Sequence, residues 1–370
     1  MCNQEKDNLQ NKVKKYSTLK YALAIIDIIY LLILLFFFQG LGLSQALAKG
    51  LAGSLNNYII IPIYIFIVYI AYYFLNFPLN FYQSFILERK FCLSNQKVMD
   101  WFKDEVKAWI ISYVIALILI EAFYYILGRF AHTWWLVISL FWIFFSLILA
   151  KLVPVIIIPL FFKYKVISDN ILRDRIINLA KKMDLSILDV FEIDFSKKTL
   201  KANAALAGWG KTRRVILADT LKDKYSYDEV EVVLAHEFAH YRLKHIFKII
   251  LVNSIAIMLS FYLIFKTSNY FLRLLGFSSL LDIAALPTII MYIVISGIIL
   301  QPLQNYISRR LERNADIMAM EVTGLKVAFI SMMEKLAAQN LADRSPHPII
   351  KFFFFDHPPI DERIALAKSA

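Results

Sequence analysis

Six stretches of this chain stay apolar long enough to restrict its fold severely. They run Tyr21–Phe38, Tyr58–Phe77, Trp109–Leu127, Trp134–Pro159, Phe247–Phe265 and Ile283–Ile307. About 20 apolar residues wound as a helix cross a hydrocarbon core. Backbone inside lipid must satisfy its own hydrogen bonds, which leaves helices and closed barrels as spanning structures. The apolar residues here are continuous and do not alternate, so helices are expected and strands are not. The chain as a whole is 59% hydrophobic and 15% aromatic, far from a soluble globular norm. The first stretch lies deep in the chain and lacks a small-residue cleavage site, so it reads as a span and not as a removable signal peptide.

A net charge of +12 raises the question of nucleic acid, but its distribution answers differently. Lys6, Lys12, Lys14, Lys15 and Lys20 precede the first stretch, and Arg89, Lys90, Lys97, Lys103 and Lys107 lie between the second and third. Lys163, Lys165, Arg173 and Arg175 follow the fourth, and Arg309, Arg310 and Arg313 follow the sixth. The intervening loops are poor in basic residues. This alternation is the positive-inside pattern, which puts both termini and the segment between the fourth and fifth spans in the cytoplasm. Charges spread over separate loops do not form a nucleic-acid face, so no nucleic acid partner is expected. Cys2 and Cys92 fall on the same side, where disulfides are disfavoured, and neither has metal-ligand spacing. The terminal Lys368-Ser369-Ala370 is not a prenylation signal, so the spans themselves are expected to hold the chain in the bilayer.

Between the fourth and fifth stretches lies His236-Glu237-Phe238-Ala239-His240, an HExxH motif in a helix-like run. Residues four apart share a helix face, so both imidazoles can reach one zinc ion, with Glu237 beside it as a base for water. The helix is expected to start at Ser226 or Asp228, with Glu229 and Glu231 in its first turns. Two imidazoles and a water leave one position for a carboxylate. Two further crossings return the chain to the same side, which makes Glu312 a candidate third ligand. Asp316, four residues on, could hydrogen-bond the far nitrogen of a ligating histidine. The same stretch also reads as a solvated juxtamembrane helix of mixed charge; the motif on the same side tips the balance to a ligand.

At these residues the chain resembles the integral-membrane zinc metalloproteases of the CAAX prenyl protease type 1 family, a branch of the gluzincins. The likeness rests on His236–His240 with a further His245, on Glu312-Arg313-Asn314-Ala315-Asp316, on Asn203-Ala204-Ala205-Leu206-Ala207-Gly208 and on His357-Pro358-Pro359-Ile360-Asp361-Glu362-Arg363. Ile158-Pro159-Leu160-Phe161 and Asp219-Thr220-Leu221 extend it. The chain departs from the family in having six apolar stretches where seven spans are often described, and in small aliphatic residues after Asn203-Ala204. The resemblance implies a large chamber enclosed by the spans, and an edge strand at Asn203 and Ala204 that pairs with an extended substrate. Independently, Thr199–Leu206 and Arg214–Ala218 read as strands flanking a turn at Gly208, Gly210 and Lys211; a hairpin that merely covers the metal helix fits the same pattern. His357 is a candidate oxyanion donor and Arg363 a candidate substrate-carboxylate binder or brace. Alternatively His357-Pro358-Pro359 starts a final helix and Arg363 pairs with Glu362 or Asp316. His245 is expected to be rotated off the metal face, and His132 and His347 to be incidental. Asp27 and Glu121 lie within spans, where a charge is costly and marks a polar cavity or a paired group. The aromatic run Phe352–Phe355 is expected in the core or at the membrane surface.

The expectation is therefore a mainly α multi-span bundle with a cytoplasmic gluzincin-like domain carrying a small β-hairpin or sheet. Residues 1–160 form a four-span region, 161–245 and 308–370 the catalytic segments, and 246–307 a transmembrane hairpin. The expected activity is zinc-dependent peptide hydrolysis, with one Zn2+ per chain held by His236, His240 and Glu312. Glu237, His357, Arg363 and Asp316 serve the chemistry, and Asn203 and Ala204 the substrate. The partners are a peptide or protein, prenylated or not, and the lipid bilayer, in a bacterial inner membrane or endoplasmic reticulum. Two other readings remain: a heat-shock-type membrane quality-control protease, and a non-catalytic scaffold or transport protein with structural zinc. A base beside an open metal position argues against the last.

Overall fold

The computed structural model describes residues 2–53, 57–208, 213–277 and 279–369. Six helices long and apolar enough to cross a membrane occupy Leu9–Gly40, Ile59–Lys90, Val98–Arg129, Trp134–Phe161, His245–Arg273 and Ile283–Thr323. The most apolar window of the fourth is 0% buried by protein and that of the first only 11%. Apolar surface left bare on that scale is stable against lipid and not against water. Where the third span turns into the fourth and the fifth into the sixth, Phe123, Trp134, Ile138, Phe261, Ile264 and Ile289 form a buried cluster that joins the helices. The second span contains Pro78 and takes a π turn over Tyr82–Ile86. Ser84 there donates to the Asn80 carbonyl and accepts from the Trp101 indole, so the disturbed ladder is satisfied within the protein.

The polar segments build a second body around a four-stranded sheet. Its strands are β1 (Tyr164–Val166), β2 (Asp189–Ile193), β3 (Ala204–Ala207) and β4 (Arg214–Ala218), in the order β1-β2-β4-β3. β2 and β4 are parallel and the outer pairs antiparallel, with Ala204 opposite Leu217 and Ala207 opposite Arg214. β3 is consequently an edge. Val190, Val215 and Leu217 pack against Leu172 and Ile176 of the helix Asn170–Lys182, Phe238 of the motif helix Tyr227–Arg242, and Phe329 of the helix Lys326–Gln339. Two ion pairs join this body to the second and third spans. Glu88 accepts from Tyr16 at 2.6 Å and pairs with Lys201 at 2.7 Å, while Asp104 meets Lys198 at 2.6 Å.

The expected strand Thr199–Leu206 is shorter than its sequence suggests and begins only at Ala204. The Leu200 amide donates to the Leu93 carbonyl and the Ala202 amide to the Asn340 side chain, which takes 199–203 out of the sheet's reach. The Asn203 carbonyl still accepts from the Ala218 amide. The turn residues Gly210 and Lys211 lie outside the described residues.

The motif helix starts at a capping box: Ser226 Oγ accepts from the Glu229 amide at 3.3 Å and Glu229 accepts from the Ser226 amide at 2.8 Å. Glu229, 2% exposed, also accepts from Ser331 and Lys335. Replacing Ser226 with Ala should cost about 1 kcal/mol, and Ser226→Asp much less. Glu229→Ala, which strands two further donors, should lower the thermal unfolding midpoint more than Ser226→Ala does. The opposite order would remove the helix start as an anchor of this body.

Candidate active site

The motif helix and the sixth span are among the most intimately packed pairs in the molecule, and their meeting line carries the polar centre. His236 Nε2 and His240 Nε2 lie 3.1 Å apart. Glu312 Oε2 is 3.1 Å from His236 Nε2, and Oε1 is 3.2 Å from His240 Nε2. Bonds of 2.0–2.1 Å at tetrahedral angles imply ligand atoms about 3.3 Å apart, so the spacing suits a zinc ion. Glu312 is 5% exposed, and its Oε2, though close to His236, makes no hydrogen bond. A buried carboxylate oxygen aimed at a ring nitrogen without bonding it is suited to a cation lying between them. The donor set therefore fits the group expected from the sequence.

Both imidazoles are held from behind. His236 Nδ1 lies 2.9 Å from Asp316 Oδ1. Arg363 donates through Nε to Asp316 Oδ2 at 2.8 Å and through Nη2 to Oδ1, a two-pronged contact with a fully buried carboxylate. Arg363 is not among the residues that line the cavity described below. Of the two expected acidic partners it takes Asp316, and Glu362 pairs with Lys351. His240 Nδ1 faces His245 Nδ1 at 3.1 Å, with the His245 side chain 0% exposed. The sequence placed His245 off the metal face but did not identify what it touches. Lys244, at φ 55, turns the chain between the motif helix and the fifth span, and that left-handed step swings His245 back under His240.

On the open side lies a cavity of ≈ 280 Å³. Its polar wall is His236, Glu237, His240, Glu312 and His357, and its apolar wall Leu206, Tyr241, Ile246 and Ile249. Leu206 belongs to the edge strand β3, so a free sheet edge borders the cluster of His236, His240 and Glu312. Asn203 is exposed and Ala204 half-buried at the start of that edge. His357 Nε2 is 3.4 Å from Glu312 Oε2, and its Nδ1 is 2.9 Å from Asp356 Oδ1. Partial desolvation lowers the His357 pKa, but Asp356 and Glu312 outweigh it and hold it above the usual histidine value. The final helix begins at Ile360, just beyond His357-Pro358-Pro359. Burial raises the Glu237 pKa above the usual carboxylate range, against the pull of His236 and His240. Sequence reasoning missed Asp356, Tyr241, Ile246 and Ile249, whose only signal was adjacency to the motifs.

Other residues lie elsewhere. His347 caps the helix Pro348–Phe354 through Nδ1. A cavity of ≈ 320 Å³ between the fourth, fifth and sixth spans is lined by Ser146, Asn253, Ser260 and Gln304 among others, and neither Asp27 nor Glu121 reaches it.

Membrane spans joined to a body that bears an HExxH helix and a third carboxylate define a membrane metalloprotease. Residues 167–370 match Peptidase family M48, and the chain belongs to that family. Residues 4–163 match the CAAX prenyl protease N-terminal region of five membrane helices. Over that region the described residues carry four apolar spans and the short helix Leu43–Ala52. The chain is 31% identical over 280 residues to the uncharacterized metalloprotease YhfN of Bacillus subtilis, covering 75% of this chain and 66% of that one. It is 28% identical over 308 residues to CAAX prenyl protease 1 of Saccharomyces cerevisiae, covering 78% and 67%. The chain thus spans about two thirds of the length of these relatives. Its fold matches the crystal structure of S. mikatae Ste24p with a TM-score of 0.87 at 23% identity, over 98% of this chain and 89% of that one.

Burial pulls the His236 pKa down, but Asp316 and Glu312 outweigh it and push the metal-free ring up to about 9. Below that pH the ring carries a proton that a metal ligand must lose. Zinc binding at pH 7 should therefore release about one proton from His236, read by calorimetry in buffers of different ionisation enthalpy. The release should fade as pH rises through the ring's pKa. Binding without proton release at pH 7 would contradict the geometry behind His236.

Proposed function

We propose that this membrane protease is a zinc-dependent endopeptidase that holds an extended peptide along β3 and cuts it at the cytoplasmic face. The observation that carries the reading is the convergence of His236, His240 and Glu312 beside Glu237 on one cavity bordered by a free sheet edge. In this reading the three residues are the metal ligands. Zinc, when bound, supplies a Lewis acid that activates water and polarises a carbonyl. Glu237 takes the water's proton and returns it to the leaving amine, and its raised pKa suits both halves of the task. His357, held by Asp356, donates to the oxyanion that develops on the scissile carbonyl. Asp316, braced by Arg363, keeps the His236 proton on Nδ1, and His245 accepts from His240 Nδ1. Backbone groups of Asn203 and Ala204 open the β3 edge to a peptide of any side chains.

The names of the relatives support C-terminal peptides of prenylated proteins as the substrate class. The match of 4–163 to a CAAX prenyl protease N-terminal region favours this over a heat-shock-type quality-control protease. Glu237 on the cavity wall argues against a structural zinc in a scaffold or transporter. The basic loops support the cytoplasmic orientation.

The test is cleavage of one peptide in prenylated and unprenylated form by the full chain, with and without chelator, products mapped by mass spectrometry. Glu237→Gln should keep its zinc and lose turnover by at least about 100-fold, the scale of general-base catalysis. Normal cleavage by that variant ends the assignment. Asp316→Asn should weaken zinc binding by about 10–100-fold, the usual effect of losing a ligand's outer partner. Unchanged affinity in a competition titration would remove Asp316 from the site.

A further inference from the structure

One helix outside the six spans packs against the apolar part of the sixth. Pro348–Phe354, seven residues long, precedes His357 by one short turn of chain. Phe352 and Phe353 share a groove of ≈ 540 Å³ with Ile298, Ile299, Leu303 and Tyr306 of the sixth span. Ile299 lies seven residues before Tyr306, about 10 Å deeper along the helix axis. The groove that Phe352 and Phe353 line therefore runs along the apolar part of the sixth span. On the other side, the rings of Phe354 and Phe355 lie 6.1 and 6.2 Å from that of Tyr21 on the first span. The helix is wedged between two spans.

Several of its terminal backbone groups are satisfied by side chains of the protein. At the C-terminal end Asn305 Nδ2 donates to the Phe353 carbonyl at 2.7 Å. Arg309 Nη1 donates to the Phe355 carbonyl at 2.6 Å and to that of Lys351 at 3.2 Å. At the other end Pro348 has no amide hydrogen, and His347 accepts from the Ile349 amide. A short helix in water leaves its last carbonyls to solvent; in lipid each must find a partner in the protein. The outward face is apolar: Ile349 is 62% and Phe352 51% exposed, continuous with Ile299 at 69% and Leu303 at 58%. The Lys351 amine bends away to pair with Glu362.

We propose that Pro348–Phe354 is an in-plane membrane wedge whose outer face, Ile349 and Phe352, is covered by acyl chains of the bilayer. The inference rests on the membrane reading of the spans and requires neither zinc nor substrate. The Arg309 bond to Phe355 fixes the end of the wedge two residues before His357, so lipid contact bears on the position of that histidine.

The experiment uses the unaltered full chain, reconstituted in phosphatidylcholine vesicles containing a phospholipid with a photoactivatable carbene precursor in its acyl chain. Adducts are mapped by mass spectrometry. Labelling at Ile349 and Phe352, alongside Ile299 and Leu303 and without labelling of the exposed Ile171, is the expected result. Labelling of Ile299 and Leu303 with Ile349 and Phe352 bare overturns the proposal. As a second measurement, a spin label at Phe352→Cys, in a chain carrying Cys2→Ser and Cys92→Ser, should see oxygen over a water-soluble nickel chelate as strongly as a label at Ile299→Cys. Accessibility matching a label at Ile171→Cys overturns it equally. Because neither readout involves cleavage, failure here is separate from failure of the zinc assignment.

Discussion

Two ring nitrogens 3.1 Å apart, each within 3.2 Å of one oxygen of the same carboxylate, repel unless protons or a cation lie among them. Much of the architecture serves to hold them there. The histidines come from a helix anchored at Ser226 and Glu229 in the sheet-bearing body; the carboxylate comes from a helix that has just crossed the membrane. A fifth and a sixth span must therefore pack with a fixed vertical register. That register comes from the cluster of Phe261, Ile264 and Ile289 at the far end of the hairpin and from Asn253 and Gln304, bonded at 3.1 Å, nearer the site.

The bilayer divides the molecule into two solvent regimes. Within the spans, rings and aliphatic chains face lipid, and the helices bond their own backbone groups. In the body, burial against water drives the packing of Val190, Leu217, Phe238 and Phe329 around the sheet. The polar struts from Glu88 and Asp104 lie between these regimes, where the desolvation of an ion pair is only partial. Their worth is mostly orientation, since the two bodies could otherwise rock about the chain links at Phe161 and His245.

The spans and the cluster of His236, His240 and Glu312 were legible because each depends on spacing: helix period puts His236 over His240 and Glu312 over Asp316, and run length marks a crossing. What stayed hidden depends on contacts between distant segments. Leu200 and Ala202 have strand-like side chains, yet their amides are claimed by Leu93 and Asn340 from elsewhere in the chain. Five residues separate His240 from His245, a spacing that on one helix points the rings apart; the break at Lys244 reverses it, and no residue type there signals a positive φ. Arg363 had two acidic partners within reach of sequence reasoning, and only packing decided for Asp316 over Glu362.

The unlike partners behind the two histidines have an electrostatic reason. With zinc at the proposed site, two positive charges face Glu312 and Glu237, while Asp316 is neutralised by Arg363. The assembly then carries no net charge, as a largely buried site requires. A second carboxylate behind His240 would add a negative charge to that balance beside apolar Ile246 and Ile249. A neutral imidazole accepts the His240 proton without that cost. It also donates less electron density through the ring than a carboxylate does, leaving the metal more strongly polarising toward a carbonyl. With zinc bound as proposed, holding His236 by the Asp316–Arg363 pair and His240 by neutral His245 would orient both rings while only one carries a carboxylate behind it.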